Sequence, residues 1–141
     1  MTAGQDVADP KDSGSIFLVD DDPDVRRALT RLLKMANFRV ETFATAEEFL
    51  SSGHSRNPGV LVLDIRMPGM NGAELQKALA ASGSTLPVVF MTAYEDVGVR
   101  QEVMDRGALA FLQKPVDERT LLDAIHTALQ RKVKVKSGEV D

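Results

Sequence analysis

The chain has 141 residues, and its shares of hydrophobic residues (43%) and charged residues (27%) are typical of a single globular domain. It has no cysteine and two histidines, which excludes disulfides, thiolate metal sites and a cysteine nucleophile and argues against a histidine-rich metal site. The net charge of -4 argues against nucleic acid binding by this segment, and no apolar run is long enough to span a membrane. The N-terminus lacks a signal-peptide core, so we expect a soluble, cytoplasmic protein.

The first third of the chain alternates between strands and helices after a polar start. Residues 1–15 have no periodic apolar pattern and are predicted to form a disordered arm. Residues 16–19 form the first predicted strand, which ends at three consecutive aspartates (20–22) and leads into an amphipathic helix. An edge strand over residues 38–43 and a short helix that begins after Thr45 come next.

The middle of the chain contains two more predicted strands. Residues 60–63 are apolar without interruption, which predicts a strand that is buried on both faces, and this strand ends at Asp64. A helix begins at Asn71-Gly72. The fourth strand, residues 87–91, ends at Thr92.

The last third contains a weak helix, a strand and a strong helix. The helix at about 96–106 includes Gly98 and has few apolar residues, so we expect low local stability there. The fifth strand, residues 108–112, ends just before Lys114, and the final helix begins after it. Residues 132–141 are expected to be a tail or linker, so the domain is predicted to span residues 16–131.

Five strands that alternate with helices through short connections indicate an α/β domain, with a parallel sheet covered by helices on both faces. In such a sheet, ligands bind beyond the carboxyl ends of the strands. A lone aspartate after a strand is usually a turn former or a helix cap. Here, however, four strands end in polar residues, which we expect to meet at one edge: Asp20 to Asp22, Asp64, Thr92 and Lys114.

This set of side chains suits metal-dependent phosphoryl transfer. Clustered carboxylates repel one another by roughly 1–4 kcal/mol per pair at ~4 Å, so they need a positive counter-charge. Oxygen ligands without imidazole or thiolate favour Mg²⁺. Lys114 adds a positive charge and Thr92 a hydroxyl donor for a phosphoryl oxygen. An ionised Asp64 in this setting can act as a nucleophile toward phosphorus, whereas Asp22, which precedes Pro23, is expected to cap a helix.

Four motifs occur in order along the chain: "IFLVDDD", "LVLDIRMPGMNG", "VVFMTAY" and "FLQKP". At these residues the chain resembles the receiver domains of two-component response regulators, over about residues 16–131. The sequence around and between the motifs, such as "TAEEFL" and "GALAFLQKP", is most similar to that of the nitrogen-fixation regulator type. The resemblance implies a flavodoxin-like, doubly wound, five-stranded parallel sheet in the order 2-1-3-4-5.

The resemblance also implies a role for each residue of the pocket. Asp64 corresponds to the phosphoacceptor. Asp20 and Asp21 correspond to the acidic pocket that binds Mg²⁺ together with Asp64, Asp21 directly and Asp20 more through water. The backbone carbonyl of Arg66 corresponds to a further ligand, and Lys114 to the lysine that contacts the phosphoryl group.

Other positions correspond to the switch surface of the family. Thr92 corresponds to the switch hydroxyl and Phe111 to the switch aromatic. The peptide bond before Pro115 is expected to be cis. Arg66 and Tyr94, two places after Asp64 and Thr92, occupy positions that influence the lifetime of the phosphoryl group.

A function follows from the resemblance. A sensor histidine kinase, or a small phosphodonor, would phosphorylate Asp64, and the resulting switch would control an output partner or homodimerisation through the fourth helix, fifth strand and last helix. Such a module is not an enzyme, since it assists only its own phosphorylation and dephosphorylation. Receivers of the nitrogen-fixation type usually precede a helix-turn-helix output domain, which makes transcription regulation an expected output; no such segment lies within these 141 residues.

Two other classes of protein share parts of this pattern. A haloacid-dehalogenase-like phosphohydrolase also uses Asp, Mg²⁺, Thr and Lys on a parallel sheet, but it normally has a second Asp where this chain has Arg66. A flavodoxin-like flavin or nucleotide module should have a glycine-rich or hydroxyl-rich phosphate loop after a strand. The first strand here ends in three acids instead, which repel phosphate.

Overall fold

The structure is a computed structural model that describes residues 14–94 and 96–140, with residues 131–140 described by their backbone alone. Most of the arm predicted at residues 1–15 therefore lies outside the described residues. The strands are β1 (Ser15–Val19), β2 (Arg39–Phe43), β3 (Gly59–Asp64), β4 (Val88–Thr92) and β5 (Ala110–Gln113). The helices are α1 (Pro23–Met35), α2 (Ala46–Ser51), α3 (Gly72–Ala81), α4 (Val97–Asp105) and α5 (Glu118–Val140), with a 3-10 turn at His54–Arg56.

All five strands are parallel and lie in the order β2-β1-β3-β4-β5, which confirms the predicted doubly wound sheet. The strand order reverses between β1 and β3, and this is where such sheets bind ligands. Val19 lies beside Leu63, and Asp64 lies beside Met91, so the carboxyl ends of β1, β3 and β4 stop within about one residue of each other.

The sheet separates two apolar clusters, because side chains alternate between its faces. On one face, residues such as Phe17, Leu61 and Phe90 pack under α2, α3 and α4; we call this the α2–α4 face. On the other, residues such as Leu18 and Val62 pack under α1 and α5; we call this the α1/α5 face. The uninterrupted apolar run of β3 is buried on both faces, as its sequence predicts.

Local sequence signals determine where the helices begin. Asp22 accepts a hydrogen bond from the N–H of Asp24 at 2.9 Å and so caps α1, as expected from the proline that follows it. Asn71 and Glu74 form a reciprocal capping box at the start of α3.

The two C-terminal helices differ in how firmly the core holds them. In α4 only Val103 is buried, in keeping with the weak apolar pattern of this segment. The backbone of α5 continues to Val140, through the range that the sequence analysis assigns to a tail or linker. No helix in the described part of the chain combines the length and hydropathy that a membrane span requires.

Candidate functional site

The site lies at the carboxyl edge of the sheet, where β1 and β3 end in acids. Asp20 follows β1 and is fully buried, and Asp64 is the last residue of β3 and is 5% exposed. The backbone N–H of Asp20 donates to the carbonyl of Phe43, and its carboxylate accepts the N–H of Asp22 at 2.9 Å. Backbone contacts therefore fix the aspartate that lies deepest in the site.

Lys114 joins the two buried aspartates. Its Nζ atom lies 2.7 Å from Oδ2 of Asp20 and 3.2 Å from Oδ2 of Asp64. Its backbone N–H donates to the carbonyl of Thr92 at 2.7 Å, and the Lys114–Pro115 peptide bond is cis, as the resemblance implied. Residues far apart in the sequence thus meet at one point.

The alternation of side chains determines which strand-end residues share the pocket. Val62 packs on the α1/α5 face, so Asp64, two residues later, points to that side. Phe90 packs on the α2–α4 face, so Thr92, two residues later, points to that face and away from the side of Asp64. Asp20 and Lys114 have the same parity as Asp64, and these three line a cavity of about 390 Å³ together with Asp21, Asp22, Pro23, Arg66, Ala93 and Tyr94.

Thr92 and Phe111 share a second cavity, of about 330 Å³, on the α2–α4 face. The Thr92 hydroxyl accepts the backbone N–H of Tyr94 at 3.2 Å and is buried. Phe111 is partly buried, with its ring centroid 6.4 Å from that of Phe90. The structure therefore brings the two predicted switch residues to each other, on the other side of β4 from the acidic pocket.

The donor set fits a hard divalent cation. One carboxylate oxygen from each of Asp20, Asp21 and Asp64 lies within 4.8 Å of the others. Asp21 is exposed, which leaves one side of the cluster open to the waters that Mg²⁺ retains. Arg66 lies at the same cavity, and its backbone acts to lower the pKa of Asp64.

The charges in the pocket shift two pKa values. Burial raises the pKa of Asp64, and the charge of Asp20 adds to this, while Lys114 and the backbone of Arg66 oppose it. Burial acts to lower the pKa of Lys114, but its hydrogen bonds to the two aspartates and their charges outweigh burial and raise the pKa. The lysine is therefore an ammonium at neutral pH. The cluster of three carboxylates still needs further positive charge.

Two contacts around the pocket have no clear signal in the sequence. The guanidinium of Arg66 lies over the ring of Tyr94, 4.4 Å from its centroid, and both residues line both cavities. Arg26, one helical turn into α1, donates to the carbonyl of Asp20 at 2.7 Å. The position of Arg26 just after the acidic cluster only weakly indicates this hydrogen bond, because basic residues are common on exposed helix faces.

Comparisons with known proteins match most of the chain. The sequence profile of the response regulator receiver domain matches residues 16–126. The transcriptional regulatory protein TdiR of Thauera aromatica is 41% identical over 117 residues, which are 83% of this chain and 52% of TdiR. The transcriptional regulatory protein FixJ of Bradyrhizobium diazoefficiens is 38% identical over 118 residues, which are 84% of this chain and 58% of FixJ. The chain thus spans about half the length of these curated relatives.

Solved structures share the fold. The response regulator StyR superposes with a TM-score of 0.82 at 45% identity, over 89% of this chain and 63% of StyR. The structure of FixJ-N superposes with a TM-score of 0.76 at 35% identity, over 82% of this chain and 93% of FixJ-N.

Proposed function

Because the chain belongs to the response regulator receiver domain family of two-component systems, we propose that its Asp64 accepts a phosphoryl group in a Mg²⁺-dependent reaction. The observation that supports this most directly is the position of the Lys114 ammonium, 3.2 Å from Asp64 and 2.7 Å from Asp20. The family match favours this class over the phosphohydrolase and flavin-binding alternatives.

The covalent step requires an oriented acceptor and neutralised charge. An oxygen of Asp64 attacks the phosphorus of the donor and forms a P–O bond. The bond to the leaving group breaks at the same time: P–N in a phosphohistidine, or P–O in acetyl phosphate. The leaving group departs with the electron pair of that bond, and Asp64 becomes an acyl phosphate.

Four groups of this chain would hold the Mg²⁺ ion: the carboxylates of Asp20, Asp21 and Asp64 and the backbone carbonyl of Arg66. The ion supplies positive charge that stabilises the transferring phosphoryl oxygens. Lys114 would remain beside Asp64 and contact a phosphoryl oxygen through its ammonium. These roles account for the ion pairs that a partly exposed lysine forms with two buried aspartates in a polar cavity.

The switch would operate through the second cavity. The phosphoryl group would draw the Thr92 hydroxyl toward it, and Phe111 would turn into the space that Thr92 leaves. Both residues line this cavity, which has room for such a rearrangement. Phosphorylation would shift an existing equilibrium between two arrangements of these side chains, and α4, with its single buried residue, would move with them.

The expected phosphodonor is a sensor histidine kinase. Beside the acidic pocket, an apolar cavity of about 430 Å³ lies between α1 and the segment after β5; its lining includes Val25, Ala28, Leu29, Pro115 and Val116. A kinase helix could pack its apolar face here and present a phosphohistidine to Asp64. The output would be homodimerisation through α4, β5 and α5 or contact with an output partner in transcription regulation, with no turnover of other substrates.

Intact-mass measurement after incubation with acetyl phosphate and Mg²⁺ tests the proposal. We expect one phosphoryl adduct on the wild type and none on Asp64→Asn. Asp22→Asn is the matched control, since it removes a carboxylate from the same cavity while an asparagine still caps α1, and it should be labelled like the wild type. Equal labelling of Asp64→Asn would refute the assignment, and steady turnover of a generic phosphate ester would favour a phosphohydrolase.

A further inference from the structure

The loop between β3 and α3, residues 65–71, is closed at its base. The N–H of Gly72 donates to the carbonyl of Ile65 at 2.8 Å, so the two ends of the loop are held together. A Cβ at Gly72 would lie 2.3 Å from the carbonyl oxygen of Asp64, which shows how closely the start of α3 packs against the end of β3. Arg66 lies inside this closed loop.

The tip of the loop is held from outside by Glu47. Oε2 of Glu47 accepts the backbone N–H of Met70 at 3.0 Å, and this hydrogen bond lowers the pKa of Glu47. At Gly69, where φ is +74, a Cβ would lie 2.9 Å from the same oxygen. The loop backbone therefore lies directly against the Glu47 carboxylate.

The helix that carries Glu47 is anchored in the core. It lies in the first turn of α2, between Ala46 and the helix interior, and both Ala46 and Phe49 are completely buried in the core. The side chain of Thr45 caps this helix through the N–H of Glu48 at 3.0 Å. The Glu47 carboxylate thus extends from an anchored helix end to the loop that connects β3 to α3.

We propose that Glu47 is a positioning residue for the phosphorylation site, which holds the β3–α3 loop in the conformation in which the carbonyl of Arg66 would serve as a ligand of the Mg²⁺ ion. The inference rests on the proposed function, because Arg66 is a ligand only if the pocket binds Mg²⁺. Between the closed base and the held tip, the buried side chain of Met67 further limits how the loop can move. Loss of the Glu47 contact releases the tip and lets the carbonyl leave its position.

Three variants separate a positioning role of Glu47 from an effect of its charge and from an effect on folding: Glu47→Ala, Glu47→Gln and Glu48→Ala. Glu48 is the neighbouring acid of the same helix, and it accepts the N–H of Ala44 rather than contacting the loop. For Glu47→Ala we expect Mg²⁺ binding, measured by calorimetry, to be about tenfold weaker than in the wild type. This is the lower end of the range for residues that orient metal ligands, and we choose it because Glu47 is exposed. Glu47→Gln should bind Mg²⁺ nearly as well as the wild type, since its amide oxygen can still accept from Met70. Glu48→Ala should match the wild type.

Amide hydrogen exchange of Met70 provides a readout on the unmodified protein. If the Glu47 contact and Mg²⁺ binding are coupled, the coupling must be reciprocal. Mg²⁺ should therefore slow the exchange of the Met70 amide in the wild type by a factor similar to the loss of affinity in Glu47→Ala, about tenfold. In Glu47→Ala the amide should exchange fast with and without Mg²⁺.

Wild-type affinity in Glu47→Ala, or Met70 exchange in the wild type that Mg²⁺ does not change, would overturn the proposal. Equal losses in Glu47→Gln and Glu47→Ala would also overturn it, because they would assign the effect to charge. Labelling of the wild type with acetyl phosphate is measured in parallel. An absent phosphoryl adduct together with intact Mg²⁺ coupling would reject the proposed function and keep the positioning role.

Discussion

Lys114→Met tests whether the partly buried ammonium holds the pocket together. Methionine keeps the length and apolar stem of the side chain but removes the charge between Asp20 and Asp64. In the wild type the lysine side chain is 17% exposed, and those of the two aspartates are 0% and 7% exposed. The variant therefore leaves two buried carboxylates without their counter-charge.

The distances set the scale of the effect. At an effective dielectric constant of about 20, the attraction is roughly 6 kcal/mol for the pair at 2.7 Å and roughly 5 kcal/mol for the pair at 3.2 Å. Desolvation of the three charged groups offsets most of this attraction. Removal of one partner from a buried ion pair costs about 3–5 kcal/mol, and the partial exposure of the lysine places the expected loss near 3 kcal/mol.

Urea denaturation in EDTA measures this loss, and thermal unfolding should show a fall in Tm of about 9 °C. Added Mg²⁺ should recover much of the stability, because the ion replaces the missing positive charge. Lys77→Met, at an exposed position of α3, is the control and should change stability by less than about 0.5 kcal/mol. A loss in Lys114→Met as small as that of the control would refute the electrostatic account of the pocket.

Three further predictions follow from contacts described above or nearby. Asp64→Asn should be more stable than the wild type in EDTA, since it removes a carboxylate whose pKa is raised by burial and by Asp20, and Mg²⁺ should stabilise it less than the wild type in thermal unfolding. The pKa of Lys114 is higher in the folded than in the unfolded state. The contribution of Lys114 to the free energy of unfolding is therefore complete below its ordinary pKa of 10.5 and is lost as the pH rises through the raised pKa. Above pH 10.5, the free energy of unfolding of Lys114→Met should fall less steeply with pH than that of the wild type. Gln76 is buried in α3 and donates to the carbonyl of Val103 in α4 at 3.0 Å. Because that carbonyl also accepts the N–H of Ala108, Gln76→Leu should lower the free energy of unfolding by only about 1 kcal/mol. Amide hydrogen exchange in α4 should become faster.

Much of the fold could be predicted because local signals and the sheet agree. Uninterrupted apolar runs such as residues 60–63 are buried on both faces, and Asp22 caps α1 as its neighbour Pro23 suggests. The convergence of Asp64 and Lys114 follows from the rule that parallel strands end at the same edge.

The division between the two cavities depends on the register of β3 against β4, in which Asp64 lies beside Met91, and the sequence does not give this register. Asp64 lies two residues after Val62, and Thr92 two after Phe90, and the two pairs have opposite parity relative to the sheet. Because β3 and β4 are apolar and buried on both faces, their sequences predict only that Thr92 lies at the same sheet edge as Asp64, and not which face it takes. The contact between Glu47 and Met70 had no sequence signal, because loop conformation decides which backbone N–H reaches a side chain.

Strand β4 has a consequence for how the protein can diversify. It separates the two cavities: the carboxylates and Lys114 lie on one side of it, and Thr92 and Phe111 lie on the other. The two cavities are connected by the 2.7 Å hydrogen bond between the N–H of Lys114 and the carbonyl of Thr92, and by Arg66 and Tyr94, which line both of them. If the proposed function holds, substitutions on the α2–α4 face that avoid Thr92, Glu47 and the shared residues Arg66 and Tyr94 would change which surface responds while Asp20, Asp64 and Lys114 keep their contacts.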